Sequence, residues 1–140
     1  EQLDILCDVH KVEQVFYNLF KNASDAMKQT GKLTIRFNAL TPVPNETNPD
    51  NVPMLTIETR DEGPGIEPTI LRRIFDPFFT TKGNAGVGLG LSISYRMIEQ
   101  HGGTMTVTSI TEAQSCETGQ PQGSCFAVHL PLFSEEEIII

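Results

Sequence analysis

The sequence predicts an α/β (α+β) two-layer sandwich in which three helices pack on one face of a mixed sheet of about five strands. Segments with apolar residues at alternate positions are interspersed with segments whose apolar residues recur every three or four positions. Loops rich in Gly, Pro and Asn separate them. At 140 residues, with 39% hydrophobic and 20% charged residues, the chain is long enough for one domain with a buried core.

The first half of the chain is predicted to form a strand, a long helix and a β-hairpin. Residues 3–7 alternate between apolar and polar types, which predicts a short strand. Asp8 can cap the next helix, whose apolar residues keep helical spacing until shortly before Gly31. Residues 33–37 and 54–60 predict two strands, and the Pro- and Asn-rich stretch between them predicts a surface loop.

The second half is predicted to form two helices and a second hairpin. Residues 67–75 predict a short helix, and residues 91–100 predict a longer one. Residues 104–108 and 126–130 predict two strands. The polar residues 111–123 between these strands predict an exposed hairpin loop.

We expect residues 1–133 to form one domain and residues 134–140, three Glu followed by three Ile, to form a tail of unknown role. The chain begins with Glu rather than Met, so we expect an excised piece of a longer protein. No apolar run approaches 18 residues, and we expect a cytoplasmic location, although the longer protein can still be membrane-anchored.

Charge and cysteine content exclude several classes of function. A net charge of -8 without a Lys/Arg cluster argues against nucleic-acid binding. Cys7, Cys116 and Cys125 form no Cys-x-x-Cys pair, so the sequence predicts unpaired thiols rather than a disulfide framework or a zinc site.

Two glycine clusters are the most informative local features. The segment 86–92, Gly-Val-Gly-Leu-Gly-Leu-Ser, leads into a predicted helix, where bare backbone N–H groups and the positive helix end attract a phosphate. The segment 61–66, Asp-Glu-Gly-Pro-Gly-Ile, follows a predicted strand, and the Asp61 carboxylate can accept a hydrogen bond from an exocyclic amine such as that of adenine. For each cluster, a structural turn is the alternative.

Polar residues on the first helix provide a third candidate feature. Asn18, Asn22 and Asp25 lie on one flank of the apolar stripe, at steps of four and three. The amide oxygen of Asn22 is a plausible ligand for Mg²⁺, which prefers hard oxygen donors. The alternative is an ordinary solvated polar face.

Four segments in this order resemble the four boxes of the ATP-binding fold shared by sensor histidine kinases, DNA gyrase, Hsp90 and MutL. They are residues 18–26, 61–65, 75–82 and 86–91, and with their flanks they span residues 8 to 131. The third segment, Phe-Asp-Pro-Phe-Phe-Thr-Thr-Lys, singles out the histidine kinases, although core packing is the expected role of Phe75 itself. With Gln100-His-Gly-Gly103, it most resembles the nitrogen-regulation type of sensor kinase.

The resemblance implies ATP and Mg²⁺ as ligands. On the phosphate side, it implies that Asn22 holds Mg²⁺, that Asn18 lies beside the phosphates and that residues 81–86 form a lid. On the base side, it implies that Asp61 binds adenine and that Ser124 reaches the base through water. No residue is assigned as catalytic with certainty. The complete set of nucleotide-binding residues implied is Asn18, Asn22, Asp61, Gly63, Gly65, Ile66, Thr81, Lys82, Gly86, Val87, Gly88, Leu89, Gly90, Leu91 and Ser124.

Two positions bear on the chemistry. The hydrolysing branches of the family carry Glu where this chain has Asn18, and a neutral amide cannot take a proton, so rapid hydrolysis is not expected. Many histidine kinases carry Lys or Arg where this chain has Asp25, so Lys82 or Lys21 would have to supply that charge to a phosphate.

None of the three histidines resembles a phosphate acceptor. His10 is followed by Lys, His101 by two glycines, and His129 lies in a predicted strand. The resemblance therefore implies that the acceptor histidine lies on an upstream dimerisation domain of the same protein, through which a response regulator is the further partner. We expect the isolated domain to be a monomer.

The leading hypothesis is the ATP-binding catalytic domain of a sensor histidine kinase. A hydrolysing ATPase clamp is opposed by Asn18 and by the Phe segment, whereas a non-catalytic nucleotide sensor remains open. A dinucleotide fold is excluded because Leu91 stands where the third fingerprint glycine belongs. No Gly-Lys-Ser/Thr occurs, which excludes a P-loop.

Overall fold

The computed structural model describes residues 3–40, 52–79 and 90–133. In this part of the chain four helices and four strands follow one another in the order α1 (Val9–Ala26), β1 (Thr34–Leu40), β2 (Met54–Arg60), α2 (Pro68–Leu71), α3 (Gly90–Gln100), β3 (Thr104–Ile110), α4 (Glu112–Thr118) and β4 (Gly123–Pro131). No helix within these ranges is long and apolar enough to cross a membrane.

The strands form one sheet in the order β1-β2-β4-β3, in which each neighbouring pair is antiparallel. The α+β class is thus confirmed, but the described sheet has four strands rather than about five and is antiparallel rather than mixed. The predicted strand at residues 3–7 is extended chain without a strand ladder, although Phe133 N donates to Asp4 O at 2.7 Å. A strand needs a repeated pattern of such bonds, which alternation of side chains alone cannot supply.

One face of the sheet is covered by α1 and α3, and this face holds the core. Alternate residues of β4 point toward the helices, as the period of two in a strand requires. The buried cluster comprises Val15, Leu19, Ile98, Met105, Phe126, Val128 and Leu130. This packing places α1 beside α3, so that polar residues on the flank of α1 face the start of α3.

Local sequence signals explain where the helices begin and end. α1 begins after the predicted N-cap Asp8, whose Oδ1 accepts the Lys11 N–H at 3.2 Å. α2 ends at Leu71, four residues earlier than predicted, and hydrogen-bonded turns follow it. The predicted hairpin loop at 111–123 instead contains α4, which begins with a Thr111–Gln114 capping box.

Candidate functional site

Pairwise contacts link the elements that carry the described candidate residues. Asn18 on α1 contacts Gly90 at the start of α3. The same helix ends at Ala26, whose side chain lies against Gly63 in the loop after β2. This loop begins at Asp61, which is hydrogen-bonded to Ser124 on β4. The two helices, the loop and the start of β4 are therefore joined by a continuous series of contacts.

Asp61 is a buried carboxylate with only one of its oxygens hydrogen-bonded. The residue is 5% exposed, and its Oδ1 accepts the backbone N–H groups of Gly63 at 2.8 Å and Ser124 at 3.2 Å. Among the described residues, Oδ2 accepts no hydrogen bond. An unpaired buried carboxylate oxygen is costly, so this atom is suited to accept a hydrogen bond from a ligand.

The two glycines of the loop lie in close contact with neighbouring residues, and at Gly65 the contact excludes a side chain. A β-carbon on Gly63 would lie 3.0 Å from Asp61 Oδ1 and 3.2 Å from Ala26 Cβ. Gly65 has a φ of +77°, and a β-carbon there would lie 2.3 Å from Ile110 O. The loop therefore packs directly against the end of β3, which fixes the position of Asp61 at its start.

A pair of serines connects this loop to the sheet. Ser109 on β3 lies opposite Ser124 on β4, and their hydroxyl oxygens are 2.8 Å apart. Ser109 Oγ also accepts the Ile66 N–H at 2.7 Å and donates to Gly123 O at 3.2 Å. Sequence reasoning selected Ile66 and Ser124 but missed Ser109. The cross-strand pairing of the two serines, read from the register of the second hairpin, would have pointed to it.

Asn18 and Asn22 lie one turn apart on α1, and both are half-buried. The Asn18 amide nitrogen donates to Ser94 Oγ at 3.0 Å and to Gly90 O at 3.4 Å, while its oxygen accepts from Gln14 at 3.2 Å. Asn18 therefore joins α1 to the start of α3. Ser94, which is completely buried, is a contact residue that the sequence analysis did not select.

Gly90 and Leu91 form the first turn of α3. Leu91 packs against the core, and a β-carbon on Gly90 would lie 3.9 Å from Asn18 Cγ, an ordinary contact distance. The remaining candidates, Thr81, Lys82, Gly86, Val87, Gly88 and Leu89, lie outside the described residues, as does the predicted lid at 81–86.

The Phe segment divides between the core and the surface. The Phe75 ring lies 4.8 Å from the Tyr95 ring and 6.5 Å from the Phe126 ring, so the core role expected for Phe75 is confirmed. Phe78 is 74% exposed and has a φ of +64°. The Phe79 ring lies 4.8 Å from the Arg73 guanidinium, a cation–π contact.

The three histidines make contacts of a structural kind. His101 Nε2 accepts the Asp8 N–H at 3.0 Å, and Nδ1 lies 2.7 Å from Met97 O, so a neutral ring with the proton on Nδ1 satisfies both contacts. His129 lies between two threonine hydroxyls, and burial lowers its pKa below the ordinary value of 6.5 against the opposing effect of Glu58. His10 is exposed.

Neither the cysteine thiols nor clustered acidic side chains form a second reactive or metal-binding centre in the described part of the chain. Cys7, Cys116 and Cys125 are free, and burial raises the pKa of the Cys125 thiol, which keeps it protonated. In residues 3–40, 52–79 and 90–133 no three His, Cys, Asp or Glu side chains are grouped to hold a metal ion.

Sequence comparison identifies the family. The family described as "Histidine kinase-, DNA gyrase B-, and HSP90-like ATPase" matches residues 7–134. The chain belongs to this family. Its relatives include sporulation kinase E of Bacillus subtilis, 34% identical over 133 residues, and the sensor histidine kinase ZraS of Salmonella typhi, 35% identical over 133 residues.

Each match covers 95% of this chain but only 15% of the first relative and 24% of the second. Among solved structures, full-length ShkA in complex with AMPPNP is similar with a TM-score of 0.70 and 25% identity, over 95% of this chain and 24% of that chain. The predicted histidine kinase-type ATP-binding domain is thereby confirmed. Its assignment to the nitrogen-regulation type stays a prediction.

Proposed function

We propose that this chain binds Mg-ATP and donates the γ-phosphate to a histidine on a separate, upstream dimerisation domain of a two-component sensor kinase. The observation that carries the proposal is the buried Asp61 carboxylate in a glycine loop between α1 and β4, one oxygen of which accepts no hydrogen bond from the described residues. Membership of the ATPase family and the AMPPNP bound by the similar ShkA support ATP as the ligand.

On the base side, Asp61 Oδ2 accepts a hydrogen bond from the exocyclic amine of adenine. The two backbone N–H groups on Oδ1 hold the carboxylate in place, so little side-chain entropy is lost on binding. Gly63 and Gly65 keep the loop close to α1 and β3, and Ile66 packs against the core beside it. Ser124 completes this side of the site.

On the phosphate side, α1 and the start of α3 supply the polar groups. Asn22 is a suitable magnesium ligand because its amide oxygen is a hard, neutral donor and its side chain is half-buried on the same flank as Asn18. The metal, when bound, neutralises charge on the phosphates. Mg²⁺ in nucleotide sites usually keeps several waters and needs few ligands from the protein, so a single amide oxygen is compatible with this role.

The chain holds and presents the γ-phosphate rather than hydrolysing it. Asn18 is engaged by Gln14, Ser94 and Gly90 and has no proton-accepting group to offer a water molecule. The attacking nitrogen therefore comes from the dimerisation domain, which then passes the phosphoryl group to a response regulator. Such a reaction depends on positioning the nucleophile and phosphate together. Because its phosphate donor is intracellular ATP, we place this domain in the cytoplasm.

Incubation with γ-labelled ATP and Mg²⁺ tests the proposal. The chain alone should bind ATP, remain unlabelled and turn over slowly, whereas the protein including its upstream region should form acid-labile phosphohistidine. An Asn22→Ala variant of the longer protein should lose this labelling. Rapid multiple-turnover hydrolysis by the chain alone would instead indicate an ATPase clamp. ATP binding without phosphohistidine in the longer protein would indicate a nucleotide sensor.

A further inference from the structure

His101 connects the end of α3 to the beginning of α1. It follows the last residue of α3, and its Nδ1 lies 2.7 Å from Met97 O in the final turn of that helix. Its Nε2 lies 3.0 Å from the backbone nitrogen of Asp8, the N-cap residue of α1. With the proton on Nδ1, the ring donates to Met97 O and accepts the Asp8 N–H. One half-buried side chain therefore joins two helix ends that are 93 residues apart in sequence.

The sequence at the beginning of α1 gives a reason for this contact. A complete capping box has Glu or Gln at the third helical position, where its side chain accepts the backbone N–H of the N-cap residue. The third position of α1 is Lys11, whose side chain has no acceptor. The Asp8 carboxylate accepts the Lys11 N–H, so half of the box is present, and His101 supplies the other acceptor from a different helix. The cap of α1 therefore depends on the position of α3.

α1 and α3 are thus joined at two places. The Asn18 side chain donates to Ser94 Oγ and to Gly90 O near the beginning of α3, whereas His101 joins the opposite ends of the two helices. Asp8 and Asn18 are ten residues apart, which corresponds to about 15 Å along a helix. His101 therefore lies at the far end of the helix pair from the proposed phosphate side.

Residues 3–8 carry the chain into the domain. They are extended and do not belong to the sheet. Near the beginning of this segment, the Phe133 N–H donates to Asp4 O at 2.7 Å, and at its end His101 accepts the Asp8 N–H. In the proposed function, the upstream domain precedes this segment. The placement of the upstream domain therefore depends on how residues 3–8 are held.

We propose that His101 is a positioning residue for phosphoryl transfer, because it holds the end of residues 3–8 and so helps to bring the acceptor histidine of the upstream domain to the γ-phosphate. This inference rests on the proposed function. Phosphoryl transfer is sensitive to small changes in the relative position of nucleophile and phosphate. ATP binding depends on groups at the other end of the helix pair. His101 therefore affects the rate of transfer rather than the affinity for ATP.

Two substitutions of His101 in the longer protein test the inference. His101→Asn keeps an amide donor near the position of Nδ1 but has no atom near that of Nε2, so it loses the Asp8 contact. At saturating ATP and Mg²⁺ its rate of phosphohistidine formation should fall about tenfold or more, since a displacement of about 1 Å can lower a rate by about a hundredfold. Its affinity for ATP should change less than about twofold, because distant sites act independently.

Two further variants serve as comparisons. His101→Gln places an amide oxygen near the position of Nε2, where it accepts the Asp8 N–H, and should retain most of the transfer rate. His10→Asn is the matched control, since His10 is an exposed histidine of α1, and it should change neither rate nor affinity. Thermal melting establishes that each variant is folded.

A double variant separates the connection to α3 from the helix cap alone. Lys11→Gln completes the capping box within α1, so in the His101→Asn background it should restore the melting temperature. It should not restore the transfer rate, because this end of α1 is still not joined to α3. Lys11→Gln alone is the reference for both measurements.

The outcomes distinguish the inference from the proposed function. Restoration of transfer by Lys11→Gln would overturn the inference and leave His101 only a helix cap. Normal transfer by a folded His101→Asn protein, or equal losses of transfer and of ATP affinity, would also overturn it. In each of these cases the proposed function stands. Absence of phosphohistidine in the unmodified longer protein would instead contradict the proposed function, and the inference with it.

Discussion

Replacement of Asp61 by Asn should weaken ADP binding by about tenfold to 150-fold. A hydrogen bond to a charged group contributes about 1.5–3 kcal/mol, and each 1.4 kcal/mol is tenfold in affinity. We expect a loss of affinity in this range rather than the smaller loss that follows substitution of an exposed charged residue. Asp61 is only 5% exposed, so water cannot readily replace the lost hydrogen bond.

The contacts of Asp61 explain why the substitution should affect the ligand more than the fold. The amide oxygen of Asn can keep the two hydrogen bonds that Oδ1 accepts from Gly63 N and Ser124 N. The amide nitrogen then occupies the position of Oδ2, where it presents a donor to the donor amine of adenine. IDP carries a carbonyl oxygen at that position of the base, so the preference for ADP over IDP should also fall.

Calorimetric titration with ADP and IDP measures both effects. Glu62→Gln is the matched control, since it removes one negative charge from the adjacent, exposed residue of the same loop and should leave affinity nearly unchanged. Thermal melting establishes that each variant is folded. A folded Asp61→Asn protein that binds ADP with unchanged affinity and unchanged preference over IDP would remove Asp61 from base recognition.

The remaining predictions concern the metal, a glycine and a histidine. Asn22→Ala should abolish the increase in ATP affinity that Mg²⁺ causes. Asn38→Ala, at an exposed position of β1, is the control and should preserve this increase. An equal increase in both variants would show that Asn22 has only a structural role. Gly65→Ala should lower the free energy of unfolding by about 2 kcal/mol or more in urea titrations. Gly119→Ala has a similar positive φ but open space and should cost only about 1 kcal/mol, so equal costs would contradict the role given to the Ile110 contact. Burial lowers the pKa of His129 in the folded protein below 6.5, its ordinary value in the unfolded chain, so on acidification the unfolded chain is protonated at a higher pH than the folded protein. The stability that the neutral ring contributes is therefore fully present above pH 6.5 and is lost as the pH falls below that value. His129→Gln should flatten the dependence of unfolding free energy on pH below 6.5, and an unchanged slope would contradict this account.

Periodic segments with clear end signals were predicted accurately from sequence. The predicted strand at 54–60 coincides with β2, and α3 begins one residue before the predicted Leu91. α1 begins after its predicted cap. In these elements local propensity and tertiary packing favour the same structure, because the alternating or helical apolar pattern is also the pattern that the core buries.

The wrong predictions lie in segments whose sequence pattern is local but whose structure depends on contacts with another part of the chain. Residues 3–7 have the apolar–polar alternation of a strand. Whether such a segment joins a sheet depends on which other segment lies beside it in the fold, and composition does not specify that segment. α4 was missed because its polar composition resembles a loop, although the Thr111–Gln114 capping box and the left-handed Gly119 after its end were both readable signals. Ser109 could not be selected from a motif, since its importance lies in a cross-strand contact with Ser124.

The two described halves of the site differ in how far their polar groups are satisfied within the protein. On the α1–α3 side, both atoms of the Asn18 amide are engaged by protein groups. On the base side, Asp61 is buried with one oxygen open, held by backbone donors that do not have to move. A preformed acceptor contributes affinity and base specificity at little cost in ordering, whereas a phosphate that uses Asn18 must first displace one of its present partners. In the proposed reaction, binding of the base therefore requires less rearrangement of the protein than engagement of a phosphate by Asn18, and the chemistry depends on the nucleophile that the upstream domain supplies.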